Sequence, residues 1–338
     1  MKPIVQVVRS FGPTGGMEEI VWQLTRALVD QGESVQVLCE KDASNGLLPV
    51  RVTELGRSTC RRRWRKHVDF SRRVNDWAAA HGPRGALWHS HEMLTRSDVC
   101  TFHSTPHGVG AERDWWRRLD PGWHANQWLE RRSLLGAQRV VPLSALLERQ
   151  LEDRHSYMEE RLMRAIPPGV QSVESRSLIK EPVIGFMGWE WKRKGLDRVV
   201  AICRALPETR LVIAGPSQAD LGDMLEGLDR VEVLGMVDRD EFFQRIRLLV
   251  HPARLEAFGM VVTESMARSI PVLVSNATGA ASEVGTAHGR VLPLDAPMEE
   301  WTAVAAELLK QDGSTEPYRR SWTEVADAYR TLYAQLVP

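Results

Sequence analysis

Residues 251–283 read HPARLEAFGMVVTESMARSIPVLVSNATGAASE, and the rest of the chain can be ordered around the two carboxylates they contain, Glu256 and Glu264. Residues 254–257 read as a loop leaving a buried strand, and residues 258–269 as a helix with Gly259 in its first turn, where a missing Cβ lets a ligand approach the backbone. A helix start offers unpaired N–H groups and the positive end of a dipole, which suit phosphate, and nearby carboxylates accept hydrogen bonds from sugar hydroxyls. Glu256 precedes that helix and Glu264 lies about two turns on, so both can point to one side. For an isolated pair the other reading is a helix cap and a solvated face residue.

Outward from this stretch, strands alternate with helices. Residues 183–187, 211–214, 231–234, 248–251 and 272–275 have strand character, and residues 196–205 and 240–246 read as helices. Residues 188–195 form a loop carrying Trp189, Trp191, Lys192, Arg193 and Lys194. This spacing predicts a parallel sheet covered on both faces.

The first half has the same alternation. A strand at residues 4–8 leads into the turn Gly12-Pro13-Thr14-Gly15-Gly16, a helix over residues 17–31 and a strand at residues 35–38. In a doubly wound sheet the ligand crevice lies at the carboxyl ends of the strands, which puts Gly15 and Gly16 at a cleft. The GxGxxG spacing of dinucleotide binders is missing. Further strands at residues 86–88, 99–102 and 139–142 precede a helix over residues 144–160. The first two end in His89-Ser90-His91-Glu92 and His103-Ser104-Thr105-Pro106-His107. A His/Glu cluster can signal a metal, but no HExxH helix accompanies this one and none is expected. Trp115, Trp116, Trp123 and Trp128 stand among arginines, as helix packing or as an interfacial patch.

From Arg57 to Arg73 the sequence RSTCRRRWRKHVDFSRR is the densest basic run. It reads as a solvated helix face, or as a surface for anionic lipid headgroups or a phosphorylated acceptor. Nothing else in the chain suggests nucleic-acid binding. Residues 1–168 carry 25 Lys and Arg against 20 Asp and Glu, and the remainder 19 against 24, so the first half is the one suited to an anionic partner. The 338 residues are enough for two domains, and Pro167-Pro168-Gly169 marks the expected boundary and hinge. Four scattered cysteines indicate neither a zinc site nor a disulfide framework. No apolar run is long enough to span a bilayer, and MKPIVQVVRS reads as neither signal nor transit peptide, so a cytoplasmic protein is expected.

The segments GFMGWEWKRKGLDR, LVIAGPS, VLGMVDRDEFF and HPARLEAFGMVVTESMARSIPVLVS, in that order, resemble the carboxyl-terminal domain of the retaining glycosyltransferases of family four. GGMEEIVWQLTRALVDQGESVQVL, WHSHE, TFHST and IPPGV extend the resemblance through the first half, and RKGLDR with CTFHST, WLERRSL, AQRVVPLS and PPGV is most like the lipopolysaccharide-core glucosyltransferase branch. The resemblance implies an α/β protein of the GT-B fold, with two Rossmann-like doubly wound parallel-sheet domains facing across a cleft. Residues 1–168 would be the acceptor side and 169–316 the nucleotide-sugar side, with a helix over residues 317–338 packing back on the first domain.

Carried over by motif, Glu264 matches the glutamate that binds the donor ribose and Glu256 the one that holds the transferred sugar. Arg193 and Lys194 match the pair that neutralises the diphosphate, so no metal or other cofactor is expected. Backbone N–H groups near Gly15, Gly16, Gly259 and Met260 would complete the cradle. His103 matches the histidine near the anomeric carbon, and Glu18 a position facing the acceptor. Trp189 departs from the pattern, since many members have arginine there. The implied activity is hexosyl transfer with retention from a nucleotide sugar, UDP-glucose favoured, to a glycan or glycolipid acceptor such as lipopolysaccharide core, at the inner face of the cytoplasmic membrane. The alternatives are a mannosyltransferase using GDP-mannose on a lipid-linked acceptor, and a sugar-binding scaffold without catalysis.

Overall fold

The computed structural model describes residues 2–109, 119–173, 179–311 and 316–336. Trp115 and Trp116 lie outside the described residues. The chain divides into two compact units, one of Met1–Gly169 with Ser321–Pro338 and one of Val170–Arg320.

Unit 1 is built on β1 (Ile4–Phe11), α1 (Gly16–Asp30), β2 (Val35–Asp42), β3 (Arg51–Glu54), α2 (Arg63–His81), β4 (Leu87–Ser90), β5 (Ser97–Phe102), α3 (Pro121–Gly136), β6 (Ala137–Pro142) and α4 (Ala145–Arg154). Its six strands are parallel, in the order β3-β2-β1-β4-β5-β6. α1 buries Ile20, Val21, Leu24, Ala27 and Leu28, the helical stripe visible in the sequence. The short edge strand β3 gives no such signal, because none of its four residues is buried. The helix expected to run to residue 160 stops at Arg154, where His155 leaves helical geometry and a 3-10 turn over Ser156–Met158 follows.

Unit 2 repeats the plan with β7 (Val183–Met187), α5 (Trp191–Lys194), α6 (Leu196–Ala205), β8 (Arg210–Ala214), α7 (Gln218–Leu221), β9 (Val231–Gly235), α8 (Arg239–Phe243), β10 (Leu248–His251), α9 (Met260–Ala267), β11 (Val272–Ser275), β12 (Gly289–Leu292) and α10 (Met298–Lys310). The strand order is β12-β11-β10-β7-β8-β9. Ile184, Phe186, Leu248, Val250 and Leu273 pack with α6 residues and Trp301 of α10 in one core. Each sheet reverses its winding once, between β1 and β4 and between β7 and β10, and a doubly wound sheet opens its ligand crevice at that reversal.

The last helix, α11 (Trp322–Gln335), belongs to unit 1 and starts at a capping box between Ser321 and Glu324. It is tied to the sheet by a buried polar chain. His89 Nδ1 lies 2.7 Å from the Tyr333 hydroxyl and His89 Nε2 2.7 Å from Thr101 Oγ1, which is 2.8 Å from the Tyr329 hydroxyl. Burial holds His89 neutral, pushing its pKa down to about 3, so its two ring nitrogens need one donor and one acceptor. Tyr333→Phe leaves the buried His89 Nδ1 without its partner and is expected to cost about 1–3 kcal/mol in urea unfolding, with the fold unchanged by circular dichroism.

Candidate functional site

In unit 2 the loops after β7 and β10 meet at the switch point. Gly188 has φ 150°, and a Cβ there would overlap the Lys194 side chain, so the lysine stem lies on the glycine backbone. Gly195 has φ 81°, and a side chain there would overlap the Pro252 carbonyl. Residues read as an open loop contain one helical turn, α5, which places Arg193 and Lys194 at its end. The Arg254 amide donates to the Arg193 carbonyl at 2.9 Å, and the Arg254 guanidinium makes two bonds to Asp197 at 2.9 and 2.6 Å, binding the two loops together.

Glu256 sits between them. Its Oε2 lies 2.8 Å from Lys194 Nζ, 3.5 Å from Arg193 Nη1 and 3.8 Å from His251 Nε2. Its backbone is pinned as a bridge to the loop after β11, the Glu256 amide donating to the Ala277 carbonyl at 3.1 Å and the Gly279 amide to the Glu256 carbonyl at 2.9 Å. Burial would raise the carboxyl, but the adjacent His251 ring and the Lys194 and Arg193 charges outweigh it and hold Glu256 well below the usual carboxylate range. His251 is buried and held neutral by desolvation.

Gly259 caps α9 with φ 95°, and a Cβ there would stand 3.1 Å from Thr278 Cγ2 and 3.3 Å from Glu256 Cγ. The helix begins at Met260, two residues later than its apolar spacing suggests, because Gly259 holds a left-handed conformation. Glu256, Arg193, Lys194 and Gly259 are thus one cluster. Glu264 is held separately, by Arg239 of α8, a residue the sequence reading did not single out. The signal for it, DRDEFF, lay within the quoted motifs, but only folding sets Arg239 beside a glutamate 25 residues on.

In unit 1 a cavity of about 760 Å³ opens where β1, β4 and β5 end. His103 and Glu18 line it, as do His91, Glu92 and His67. Gly15 and Gly16 begin α1 beside it, and a Cβ on Gly15 would come 2.9 Å from Glu18 Oε2, so the glutamate folds back over that glycine. Gln6 Oε1 can only accept, so His91 Nε2 carries the proton of their 2.5 Å bond. His91 Nδ1 then accepts from His103 Nε2 at 2.8 Å. Desolvation keeps both rings neutral, His103 falling to about 3. His103 is therefore oriented through a chain that starts on β1.

The basic run divides on folding. Arg73 bonds Glu40 at 2.7 Å and the Leu55 carbonyl at 3.1 Å, so it is structural, whereas Arg72 makes only an exposed pair with Asp69 at 3.4 Å. Arg57, Arg63 and Lys66 line the cavity. Among the described residues no group of three or more His, Cys, Asp or Glu is arranged to hold a metal ion, and no helix is long and apolar enough to cross a membrane.

Residues 14–172 match the profile described as Glycosyltransferase Family 4, and residues 171–327 that described as Glycosyl transferases group 1. The chain belongs to the glycosyltransferases of family four. It is 28% identical over 220 residues to the lipopolysaccharide glucosyltransferase WaaG of Escherichia coli K12, covering 56% of this chain and 58% of that protein. It is 31% identical over 163 residues to the phosphatidylinositol N-acetylglucosaminyltransferase gpi3 subunit of Schizosaccharomyces pombe, covering 41% and 35%. The chain therefore spans between a third and three fifths of the length of these two curated relatives. Crystal structures of WaaG (TM-score 0.75, 18% identity, 97% and 95% of the two chains) and of Anabaena HepE with UDP and glucose (TM-score 0.74, 14% identity, 99% and 100%) share the GT-B fold.

One carboxyl in the unit 1 cavity titrates abnormally. Burial raises Glu92 to about 7, against the pull of the Arg9 charge and of the Arg9 amide that bonds it at 3.3 Å. A carboxyl whose folded pKa lies above its unfolded value favours the folded state when protonated. Its ionisation thus costs stability as pH rises from about 4.5 to about 7, and the cost is complete above 7. Glu92→Gln keeps the acceptor for the Arg9 amide and is expected to stabilise the protein by about 1–3 kcal/mol at pH 8 while matching wild type near pH 4, read by urea unfolding at both.

Proposed function

We propose that this protein transfers a hexose from a nucleotide-diphosphate sugar, UDP-glucose favoured, to a hydroxyl of a cell-surface glycan such as lipopolysaccharide core, with retention of configuration. The observation that carries the reading is the Glu256 cluster. An ionised carboxylate is clamped by Lys194 and Arg193 beside the left-handed Gly259 that opens α9. The carboxylate accepts hydrogen bonds from hydroxyls of the transferred sugar, and the two cations offset the negative charge that grows on the diphosphate as it departs. That charge makes a metal unnecessary in this reading. Glu264 takes the ribose hydroxyls, with Arg239 fixing its position. The likeness to WaaG, named as a glucosyltransferase, and to HepE, solved with UDP and glucose, supports the choice of donor.

The acceptor belongs to the unit 1 cavity, where Glu18 and the His91–His103 pair face the space. Neutral His103 does not act as a strong acid. It orients substrate, and the acceptor proton leaves on the departing phosphate. The reaction takes place on the cytoplasmic side, at the membrane face where such acceptors are presented.

Glu256→Gln keeps the side-chain shape but removes the charge and its ion pairs. Transfer is expected to fall by roughly 100-fold or more, with UDP affinity by calorimetry kept within about fivefold, since UDP lacks the sugar that Glu256 holds. Lys194→Met is expected to weaken UDP roughly tenfold through loss of a charge-assisted contact. Full transfer by the Glu256 variant would overturn the assignment.

A further inference from the structure

The interior of β1 holds one residue that its fold does not call for. A parallel strand covered on both faces is normally apolar throughout, and Ile4, Val5, Val7 and Val8 are buried as that rule requires. Gln6 stands among them, fully buried. Among the described residues its side chain makes one hydrogen bond, from His91 Nε2 to its Oε1, and its own Nε2 has no partner. A buried amide left half satisfied costs stability, so packing does not account for it.

Its position does. Gln6 is paired in register with His89 across the β1–β4 ladder, and the His91 amide donates to the Val7 carbonyl at 2.9 Å. β5 lies on the far side of β4, and His103 follows its last residue. Three adjacent strands thus deliver Gln6, His91 and His103 in a row that ends at the cavity, which His103 lines and Gln6 does not. The polarity of the row runs one way. Gln6 Oε1 accepts the proton of His91 Nε2, His91 Nδ1 accepts that of His103 Nε2, and both rings are neutral. A neutral ring carries one proton, so His103 Nδ1 keeps a lone pair. That nitrogen is buried and has no hydrogen-bond partner among the described residues. It can accept a proton from a substrate hydroxyl, and it repels a carboxylate or phosphate oxygen. An N–H presented to His91 in place of Oε1 would shift every proton in the row and turn His103 Nδ1 into a donor.

We propose that Gln6 is a positioning residue for the transfer reaction: its carbonyl oxygen, acting through His91, fixes His103 as the Nε2–H tautomer and so presents an acceptor nitrogen to a substrate hydroxyl. The proposal rests on the reading of His103 as a substrate-facing residue of a sugar transferase. Methionine at position 6 fills much the same volume but offers His91 no carbonyl acceptor. His91 is then free to carry its proton on either nitrogen, and His103 loses its fixed polarity.

The test starts with the wild-type full chain, labelled with 15N at histidine, in long-range proton–nitrogen NMR, which tells a protonated ring nitrogen from an unprotonated one. His91→Asn and His103→Gln variants assign the signals. Both rings are expected as Nε2–H tautomers. The Nδ1–H form of either ring in the wild type would overturn the proposal, and this spectrum decides the polarity whether or not a Gln6 variant folds. In Gln6→Met both rings are expected to populate both tautomers, with UDP affinity by calorimetry kept as the control for an intact unit 2; unchanged tautomers there would also overturn it. The second arm follows UDP release from UDP-glucose with lipopolysaccharide core as acceptor. Gln6→Met is expected to lower kcat roughly tenfold or more while KM for UDP-glucose stays within about twofold. Made in a His103→Gln background, the same substitution is expected to change the residual rate by less than about twofold, because its effect runs through His103. An undiminished loss in that background would leave Gln6 a purely structural role and overturn the assignment. Tautomers that respond to Gln6→Met as expected, yet no transfer by the wild type from any nucleotide sugar, would retain the relay and overturn the transferase reading.

Discussion

A carboxylate taken out of water must be paid for by nearby positive charge, and in unit 2 that requirement organises everything around Glu256. Lys194 can reach it only because Gly188 has no side chain under the lysine stem. Gly195 turns left-handed to start α6 close against the Pro252 carbonyl, which holds the loop that ends in Arg193 and Lys194 next to the loop that carries Glu256. The glutamate backbone is in turn fixed by the loop after β11. The glycines of this unit are thus less a flexible loop than the spacing that lets two cations converge on one buried anion. In the proposed reaction the same convergence would serve a departing diphosphate, because the charges that hold Glu256 ionised are already in place.

Unit 1 solves the opposite problem. Its sheet and the adjoining cavity bury histidines and a carboxyl, and desolvation keeps His89, His91 and His103 neutral and raises Glu92. Neutral rings can be fixed by hydrogen-bond polarity alone, and the Gln6–His91–His103 chain does this. Arg63 and Lys66 of α2 line the same cavity.

Much of this was legible in the sequence. The strands of both sheets show as short apolar runs because a parallel strand is buried on both faces, and the glycine turns after them mark the switch-point loops. Edge strands β3 and β12 are only four residues long and partly exposed, and so escaped that signal. Helix α2 was hidden for a different reason: its buried face is His67, Phe70, Ser71 and Val74 within a run of arginines, so composition spoke of a charged surface before periodicity spoke of a helix.

The sequence by itself determined the two alternating halves, the strand ends that carry the site residues, and the motif spacing from Glu256 to Glu264, because these depend on local periodicity and on which residue types tolerate a turn. Tertiary structure decided the partners. Nothing local distinguishes Lys194, clamped to Glu256, from Lys192 two residues earlier, or Arg73, locked to Glu40, from Lys66, free at the cavity. Pairing of long, flexible side chains is set by which backbone segments the sheet brings together across dozens of residues, and that is a property of the fold and not of any stretch of chain.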